Sequence, residues 1–408
     1  MVPESRLEEQ LDVPVDFAIP QIPLKAPIHR FRASRPLSVS DLVSPTWCEL
    51  QYSNNLNKHG RIPRSAAMKR GGEVHKQLEL EVHEFVPVEV RTQEDSWGLR
   101  IWNVIQGLRT LRVTGMTREL DVWGIVDGEV ISGVIDEITL TCPDTELEMA
   151  LQVPDEQSST PKKESDQMTI DEFFAGRKAK QEKIEALGQQ VYLIDTKTRA
   201  YPSLPSASSM RPTKIQLMLY RHLLSLQASN SVPAEAIFTR YGLDATKQFS
   251  SIFMDEIARL DFSAPPNIPS SESSTMSELR THSNLESLWS LMATEFVLTF
   301  TPLILSPILT AIYRSQASGS LIGQKSFVHD DTTLSRHIDD ELQWWRGQRA
   351  PRGVEIEDAF KCKFCEFTDD CSWRMAKEAE AIEKAKNKVG RPRGRSKSKG
   401  SIVSNAPM

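Results

Sequence analysis

Two periodicities alternate along this chain. Short apolar runs that repeat every second residue are separated by stretches in which apolar residues recur every three or four positions. The first pattern is that of strands and the second that of helices, so the alternation predicts an α/β fold, a mixed central sheet flanked by helices. Leu37–Leu42 offers serine N-caps for a helix, and Trp47–Tyr52 reads as helical. Arg61–Arg70 reads as a basic loop, and Gly71 opens a helix to about Glu84. A further helix is predicted over about Glu94–Thr110. Arg118–Val126 and Glu129–Leu140 read as strands joined across Asp127-Gly128, a pair that favours a two-residue hairpin turn. The apolar run at 190–198 is a central strand, Thr213–Leu226 a helix, and Ala236–Tyr241 a strand. Leu260–Asn284 is rich in serine and proline and reads as a loop. Helices are predicted at about 285–299 and Leu334–Arg346.

Phe296–Tyr313 is 18 residues without a charge, long enough to be weighed as a membrane span. Pro302, Pro307 and several hydroxyl residues argue against that. The turn at Arg314–Ser320 and the run Leu321–Val328 then predict consecutive strands of a buried hairpin. The chain thus divides into an arm (1–35) expected to lack order, a core (36–376), a flexible polar insertion within it (142–187), and a basic disordered tail (377–408) without an acid from Lys384 onward.

Composition narrows the classes. The chain has 408 residues and a formal charge of −6, which excludes a uniformly basic nucleic-acid binder but leaves room for a local basic channel. Five cysteines are too few for a disulfide framework in a chain of this length. The acidic, proline-containing first 30 residues predict neither a secretory leader nor an Arg-rich presequence.

The candidate chemistry centres on Val191–Arg199. Side chains alternate across a strand, so Asp195 and Lys197 share a face. Asp136 follows an apolar pair on the strand Ile131–Leu140. Two carboxylates and a lysine on neighbouring strands suit a Mg²⁺-dependent phosphodiesterase. The acids hold a hard cation that activates water and polarises phosphate, and the lysine orients that water or offsets developing charge. The plainer alternative is a surface ion pair of little energetic value. His75 on a helix is more often structural, and Gln216 and Tyr220, at i and i+4, form one helix face that could simply pack. Trp344 and Trp345 read as core residues. Arg64, Lys69 and Arg199 are either phosphate contacts or solvated charge. Cys362, Cys365 and Cys371 have the spacing C-x2-C-x5-C, with Cys48 far upstream. Four such thiolates close a tetrahedral zinc site or hold a [4Fe–4S] cluster. Cys142, beside Pro143, reads as an ordinary cysteine.

Taken in order, these motifs resemble exonuclease V, a branch of the PD-(D/E)xK nucleases related to the RecB and AddB nuclease domains. The parts are Gly71-x-x-x-His75, Gly133-x-x-Asp136, Asp195-x-Lys197-Thr-Arg199 and Gln216-x-x-x-Tyr220. One cysteine precedes this core and three follow it. The resemblance spans about Ser38 to Trp373 and implies a restriction-endonuclease-like core whose two cysteine-bearing ends close a metal cluster. It implies a single-strand-specific DNA exonuclease that releases short oligonucleotides. Asp136 and Asp195 would bind Mg²⁺ with the Thr196 carbonyl and His75, and Lys197 would act on water or phosphate. Gln216 and Tyr220 would brace the site, and Cys48, Cys362, Cys365 and Cys371 would hold a [4Fe–4S] cluster. Asp195 stands where part of the family carries glutamate.

Two further segments carry partner expectations. Gln167, Ile170, Phe173 and Phe174 resemble the PIP box that docks proteins on the sliding clamp PCNA. In that motif a short helical turn gathers the apolar side chains into a plug. Gly390–Arg395 resembles an AT-hook core or a nuclear localisation signal. The clamp motif implies work in replication, repair or recombination; separately, the chain is expected to be a monomer with no membrane partner. It would act in the nucleus and, by the family's association, in mitochondria as well. The competing classes are a non-catalytic scaffold on a nuclease fold and a zinc-containing DNA-binding regulator.

Overall fold

A computed structural model describes residues 25–82, 87–152, 189–260, 278 and 280–389. Pro27 opens a short helix, α1 (Pro27–Phe31), after which β1 (Leu37–Ser38) leads into α2 (Val39–Val43). Ser38 and Asp41 cap α2 reciprocally, each side chain meeting the other's backbone N–H. Then come α3 (Glu49–His59), α4 (Ala66–Leu80) and α5 (Gln93–Thr114). The hairpin β2 (Met116–Val126) and β3 (Glu129–Thr139) is followed by α6 (Thr145–Gln152) and β4 (Gln189–Arg199). The second half runs α7 (Arg211–Ala228), α8 (Ala234–Tyr241), α9 (Ser251–Leu260), α10 (Leu285–Phe300), β5 (Leu303–Ser315), β6 (Leu321–Val328), α11 (Asp331–Trp345) and α12 (Ser372–Val389).

The strands form one mixed sheet in the order β1-β3-β4-β5-β6, with β2 along the other edge of β3. Asp127 and Gly128 both have positive φ (49° and 80°), which a two-residue turn of matching twist requires. That turn fixes the register of β2 on β3 along their length. The opposite edge of β3 is shared: β1 pairs in parallel with its start (Leu37 opposite Ile131), and β4 pairs antiparallel with its end, from Thr139–Tyr192 to Glu137–Ile194. β4 and β5 then run parallel, with Asp195 opposite Ala311 and Lys197 opposite Tyr313.

Helices α5 and α7 pack on β2, and α10 lies against α5. Their contact is an aromatic core in which Trp97, Trp123 and Trp289 meet in series with ring centroids 5.4 and 5.9 Å apart. Trp344 and Trp345 are buried, as expected, each set edge-on to Tyr52. Among the described residues no helix is long and apolar enough to cross a membrane.

Several boundaries differ from the sequence expectation. Ala236–Tyr241 is the body of helix α8, not a strand. Pro233 before it and Gly242 after it, the latter in the left-handed region (φ 67°), are start and stop signals that outweigh a short apolar run. The uncharged stretch at 296 is not all strand: Phe296–Phe300 ends α10, and Pro302 separates it from β5. Pro307 falls inside β5 at an irregularity between the pairs Val191–Leu305 and Leu193–Leu309, where no ladder N–H is needed. The basic segment 61–70 is a loop only as far as Ser65, which caps α4. In the arm, α1 is helical and Arg32 is buried against Asp41. In the insertion, α6 is helical, and α12 carries the chain from Ser372 through Lys384 to Val389. Residues 153–188 and 390–408 lie outside the described residues, and with them Gln167, Ile170, Phe173, Phe174 and the Gly390–Arg395 segment.

Candidate active site

The site forms where β3 and β4 part. Their ladder ends at Glu137–Ile194, and the next residue along each strand is an acid, Asp136 on β3 and Asp195 on β4. Backbone groups of β4 freed from the ladder need other partners. The Thr196 N–H donates to Asp136 Oδ2 at 2.8 Å, and the Thr196 carbonyl lies 2.9 Å from His75 Nε2 on α4. Lys197 Nζ donates to Asp195 Oδ1 at 2.8 Å; the lysine side chain is 33% exposed and that of Asp195 only 1%. The structure therefore brings His75, Asp136, Asp195, Thr196 and Lys197 together.

Two motif glycines have a steric reason. A Cβ on Gly133 would stand 2.7 Å from the Tyr220 ring and 2.9 Å from Val39, so only glycine lets α7 lay Tyr220 on β3. A Cβ on Gly71 would lie 3.2 Å from Thr198 Oγ1, so glycine lets α4 cross β4 closely enough for His75 to reach Thr196. On α7, Gln216 Nε2 donates to the Tyr220 hydroxyl at 3.1 Å. Tyr220 is buried, and burial together with Asp195 and Asp136 pushes its phenol above the ordinary range.

One residue was not foreseen. Glu119 lies on β2 directly across from Asp136, between the pairs Arg118–Glu137 and Leu120–Ile135. Its φ is +52°, a conformation that costs a non-glycine residue free energy and persists where the surroundings enforce it. Two facing carboxylates repel unless a cation lies between them. His75 Nδ1 stands 3.5 Å from Glu119 Oε1 and 3.6 Å from Asp136 Oδ2. These three side chains are the one group of His, Cys, Asp or Glu among the described residues with ligand atoms all within 4.8 Å of one another. The signal was present in the chain: a two-residue turn at Asp127-Gly128 places opposite each other the residues equidistant from it, and Glu119 and Asp136 are such a pair.

The electrostatics express crowding of negative charge. Burial and then the neighbouring Asp195 raise the Asp136 carboxyl to about 7, against the pull of Lys197, His75 and the Thr196 N–H. The bond to Glu119 holds the His75 pKa above its ordinary value despite burial. Burial works against the Lys197 ammonium, but Asp195 and Asp136 overcome it and its pKa is raised. Asp195 Oδ2 is buried without a hydrogen-bond partner among the described residues. Clustered carboxylates, one of them with an unpartnered buried oxygen, beside a histidine and a backbone carbonyl are a donor set that fits a hard divalent cation.

A second cluster closes elsewhere. Cys48 caps α3, its sulfur accepting the Gln51 N–H at 3.4 Å. Cys362 lies in a 3₁₀ segment (Ile356–Phe364), Cys365 just after it, and Cys371 just before α12. All four line one pocket with Trp47, Thr368, Trp373 and Arg374, whereas Cys142 does not. The two ends of the core are sewn together beside it. Leu50 N donates to the Arg352 carbonyl at 2.7 Å, and Arg349 and the Arg352 N–H both hold the Glu49 carboxylate. Burial, then the field of the other three thiols, pushes the Cys48 thiol up to about 11.

Comparison with known proteins gives one consistent result. A sequence profile described as "Exonuclease V - a 5' deoxyribonuclease" matches residues 26–374. A zebrafish (Danio rerio) protein named Exonuclease V is 26% identical over 353 residues, covering 86% of this chain and 73% of the relative. Proteins named "Exonuclease V, mitochondrial" from Candida glabrata and Eremothecium gossypii are 23% and 24% identical. They cover 83% and 84% of this chain, and 79% and 77% of the relatives.

Proposed function

The chain belongs to the exonuclease V family, and we propose that it is a Mg²⁺-dependent exodeoxyribonuclease specific for single strands, releasing short oligonucleotides. The observation that carries this reading is the convergence of Asp136, Asp195 and Lys197 at the parting of β3 and β4, with one Asp195 oxygen unpartnered. His75, Glu119, Asp136, Asp195 and the Thr196 carbonyl would hold the ion. A Mg²⁺ ion held there would supply activation of water and neutralisation of charge on the phosphate. Asp195 fixes the Lys197 ammonium, which presents its remaining protons to the phosphate and stabilises the charge that grows there. Asp136 is kept in line by the Thr196 N–H. Tyr220, held by Gln216, walls the site and excludes water from behind the carboxylates.

The four cysteines, Cys48, Cys362, Cys365 and Cys371, would hold a [4Fe–4S] cluster. Their shared cavity supports a common metal centre, and the resemblance to exonuclease V favours the cluster over zinc. The cluster would act as a cross-link between the two ends of the core. Protein with visible absorption and about four irons per chain is the expected result; colourless protein with one zinc contradicts it. The PIP-like segment supports PCNA as a partner and a nuclear role in replication, repair or recombination. The names of the fungal relatives support mitochondria as a second address. A peptide spanning 163–182 should bind PCNA at micromolar concentration, and Phe173→Ala/Phe174→Ala should abolish binding. The chain is read as a monomer.

The enzyme reading is tested by digesting 5′- and 3′-end-labelled single-stranded and duplex DNA with Mg²⁺. Short labelled products from the 5′-labelled single strand, with duplex spared, are expected. Equal digestion of duplex refutes strand specificity, and no digestion of either refutes the enzyme.

A further inference from the structure

Asp195, Lys197 and Arg199 lie on one face of β4, since alternate residues of a strand point the same way. Tyr313 on β5 registers all three: it stands opposite Lys197 in the ladder, and its phenol feels Asp195, Lys197 and Arg199 together. The Arg199 guanidinium lies 5.9 Å from the centre of the Tyr313 ring. Its Nε is buried and has no hydrogen-bond partner, and no carboxylate pairs with it among the described residues. A half-buried guanidinium that lies near an aromatic ring and has no acid partner keeps its charge available for an anion at the site.

Its backbone is anchored where such an anion would pass. The Arg199 carbonyl accepts from Gln316 N at 2.8 Å. The Gln316 side chain donates to the Ala67 carbonyl at 2.9 Å and accepts from Arg70 at 3.3 Å. The end of β4, the β5–β6 turn and the first turn of α4 thus form one lip beside the carboxylates. Two residues along a strand span about 7 Å, comparable to the separation of neighbouring phosphates in an extended single strand.

We infer that Arg199 binds the backbone phosphate next to the scissile one and so sets where the strand stops in the site. Arg70, across the lip, adds an outer contact. This rests on the nuclease reading above: the scissile phosphate lies at Asp136, Asp195 and Lys197, and its neighbour falls on Arg199. The role is one of positioning and binding, and Arg199 takes no part in bond breaking.

The test pairs a protein change with a substrate change. Initial rates with Mg²⁺ are measured for wild type, Arg199→Gln and Arg199→Lys. The substrates are oligothymidylates that are all-phosphate or carry one neutral methylphosphonate linkage, stepped along the strand. For wild type, neutralising the linkage beside the cut should raise KM about tenfold, the scale of a charge-assisted hydrogen bond. Arg199→Gln should show that raised KM on all-phosphate DNA and no further rise from the same neutral linkage. Arg199→Lys should recover part of the loss. The log–log salt slope of binding should fall by about 0.7 in Arg199→Gln, the value of one single-strand phosphate contact. Additive losses at that linkage, or an unchanged KM in Arg199→Gln, overturn the inference while wild-type cleavage leaves the nuclease reading intact. Should Arg199→Gln melt below wild type, the Arg199→Lys arm decides: sensitivity to the same single linkage supports the inference, and indifference to it overturns it. No cleavage by wild type on any substrate is the failure of the nuclease reading instead.

Discussion

The carboxylate site and the cysteine cavity are built in opposite ways. The first draws Glu119 and Asp136 from one hairpin and Asp195 and Lys197 from the adjoining strand, so ladder register alone sets most of its geometry. It holds that geometry at an electrostatic cost, visible in an Asp136 carboxyl raised to about 7 and a Glu119 backbone in the left-handed region. The second brings Cys48 to residues more than 300 positions away, and the join depends on Glu49, Arg349 and Arg352. One region is strained by its own crowded charges and supported by the sheet. The other is the seam between the two ends of the core, and a bound group there would close it. Chemistry should therefore depend on the first and folding on the second.

The largest expected break in that contrast is Asp136→Asn. Cleavage should fall by about 10³ or more, since the proposed mechanism loses a metal ligand, yet the metal-free protein should become more stable at pH 8. The sign follows from the raised pKa. Between the unfolded value near 3.9 and the folded value of about 7, the folded state binds more protons, so stability declines as pH rises through this window. Asparagine removes that decline. Thermal melts in EDTA at pH 5 and pH 8 check it: the variant's advantage should be small at pH 5 and largest at pH 8.

Lys197→Ala comes next, with a loss of about 10²–10³ in the rate of single-turnover cleavage and little change in Mg²⁺ affinity. Glu119→Gln should act the other way, raising the Mg²⁺ concentration for half-maximal cleavage about tenfold with a smaller change in the saturated rate. The pH dependence belongs with it. The His75 pKa is raised first by Glu119 and that of Asp136 by burial, so Mg²⁺ must displace protons from both, and its apparent affinity should improve as pH rises from 6 to 8. In Glu119→Gln the histidine loses its strongest anionic partner and that pH dependence should flatten.

Cys365→Ser should have the smallest effect on the chemical step and the largest on the fold. Melting should drop by several degrees, on the scale of losing one or more kcal/mol, and DNA binding should weaken, while Cys142→Ser changes neither. Unaltered melting in Cys365→Ser would mean the seam is closed without its sulfurs.

The same contrast explains what the chain disclosed in advance. Asp136, Asp195 and Lys197 were legible because strand alternation and a two-residue turn are local rules, and those rules held across β2, β3 and β4. Glu119 was equally local, but its strand reads as an ordinary hairpin arm until its partner across the turn is counted. Gly133 and Gly71 were legible as motif letters, whereas their reason, Tyr220 and Thr198 in the space of a Cβ, is tertiary. Helix α8 resists a reading by period because six apolar-rich residues carry no decisive one; its helical signal lies in Pro233 and Gly242 at its ends. The apposition of Cys48 with Cys362, Cys365 and Cys371 was not derivable from spacing at all; it came from resemblance, and its physical basis is the docking of α3 on the segment after α11.

The most direct test of the account is a Mg²⁺ titration of single-strand cleavage by wild type and Asp195→Ala side by side, with strand binding measured in the same samples. Asp195 is buried, holds Lys197 and carries an unpartnered oxygen. Wild-type cleavage should rise with Mg²⁺ to saturation, and Asp195→Ala should stay at background at every concentration while still binding the strand. Mg²⁺-dependent cleavage by Asp195→Ala at a rate approaching wild type would contradict the site described here.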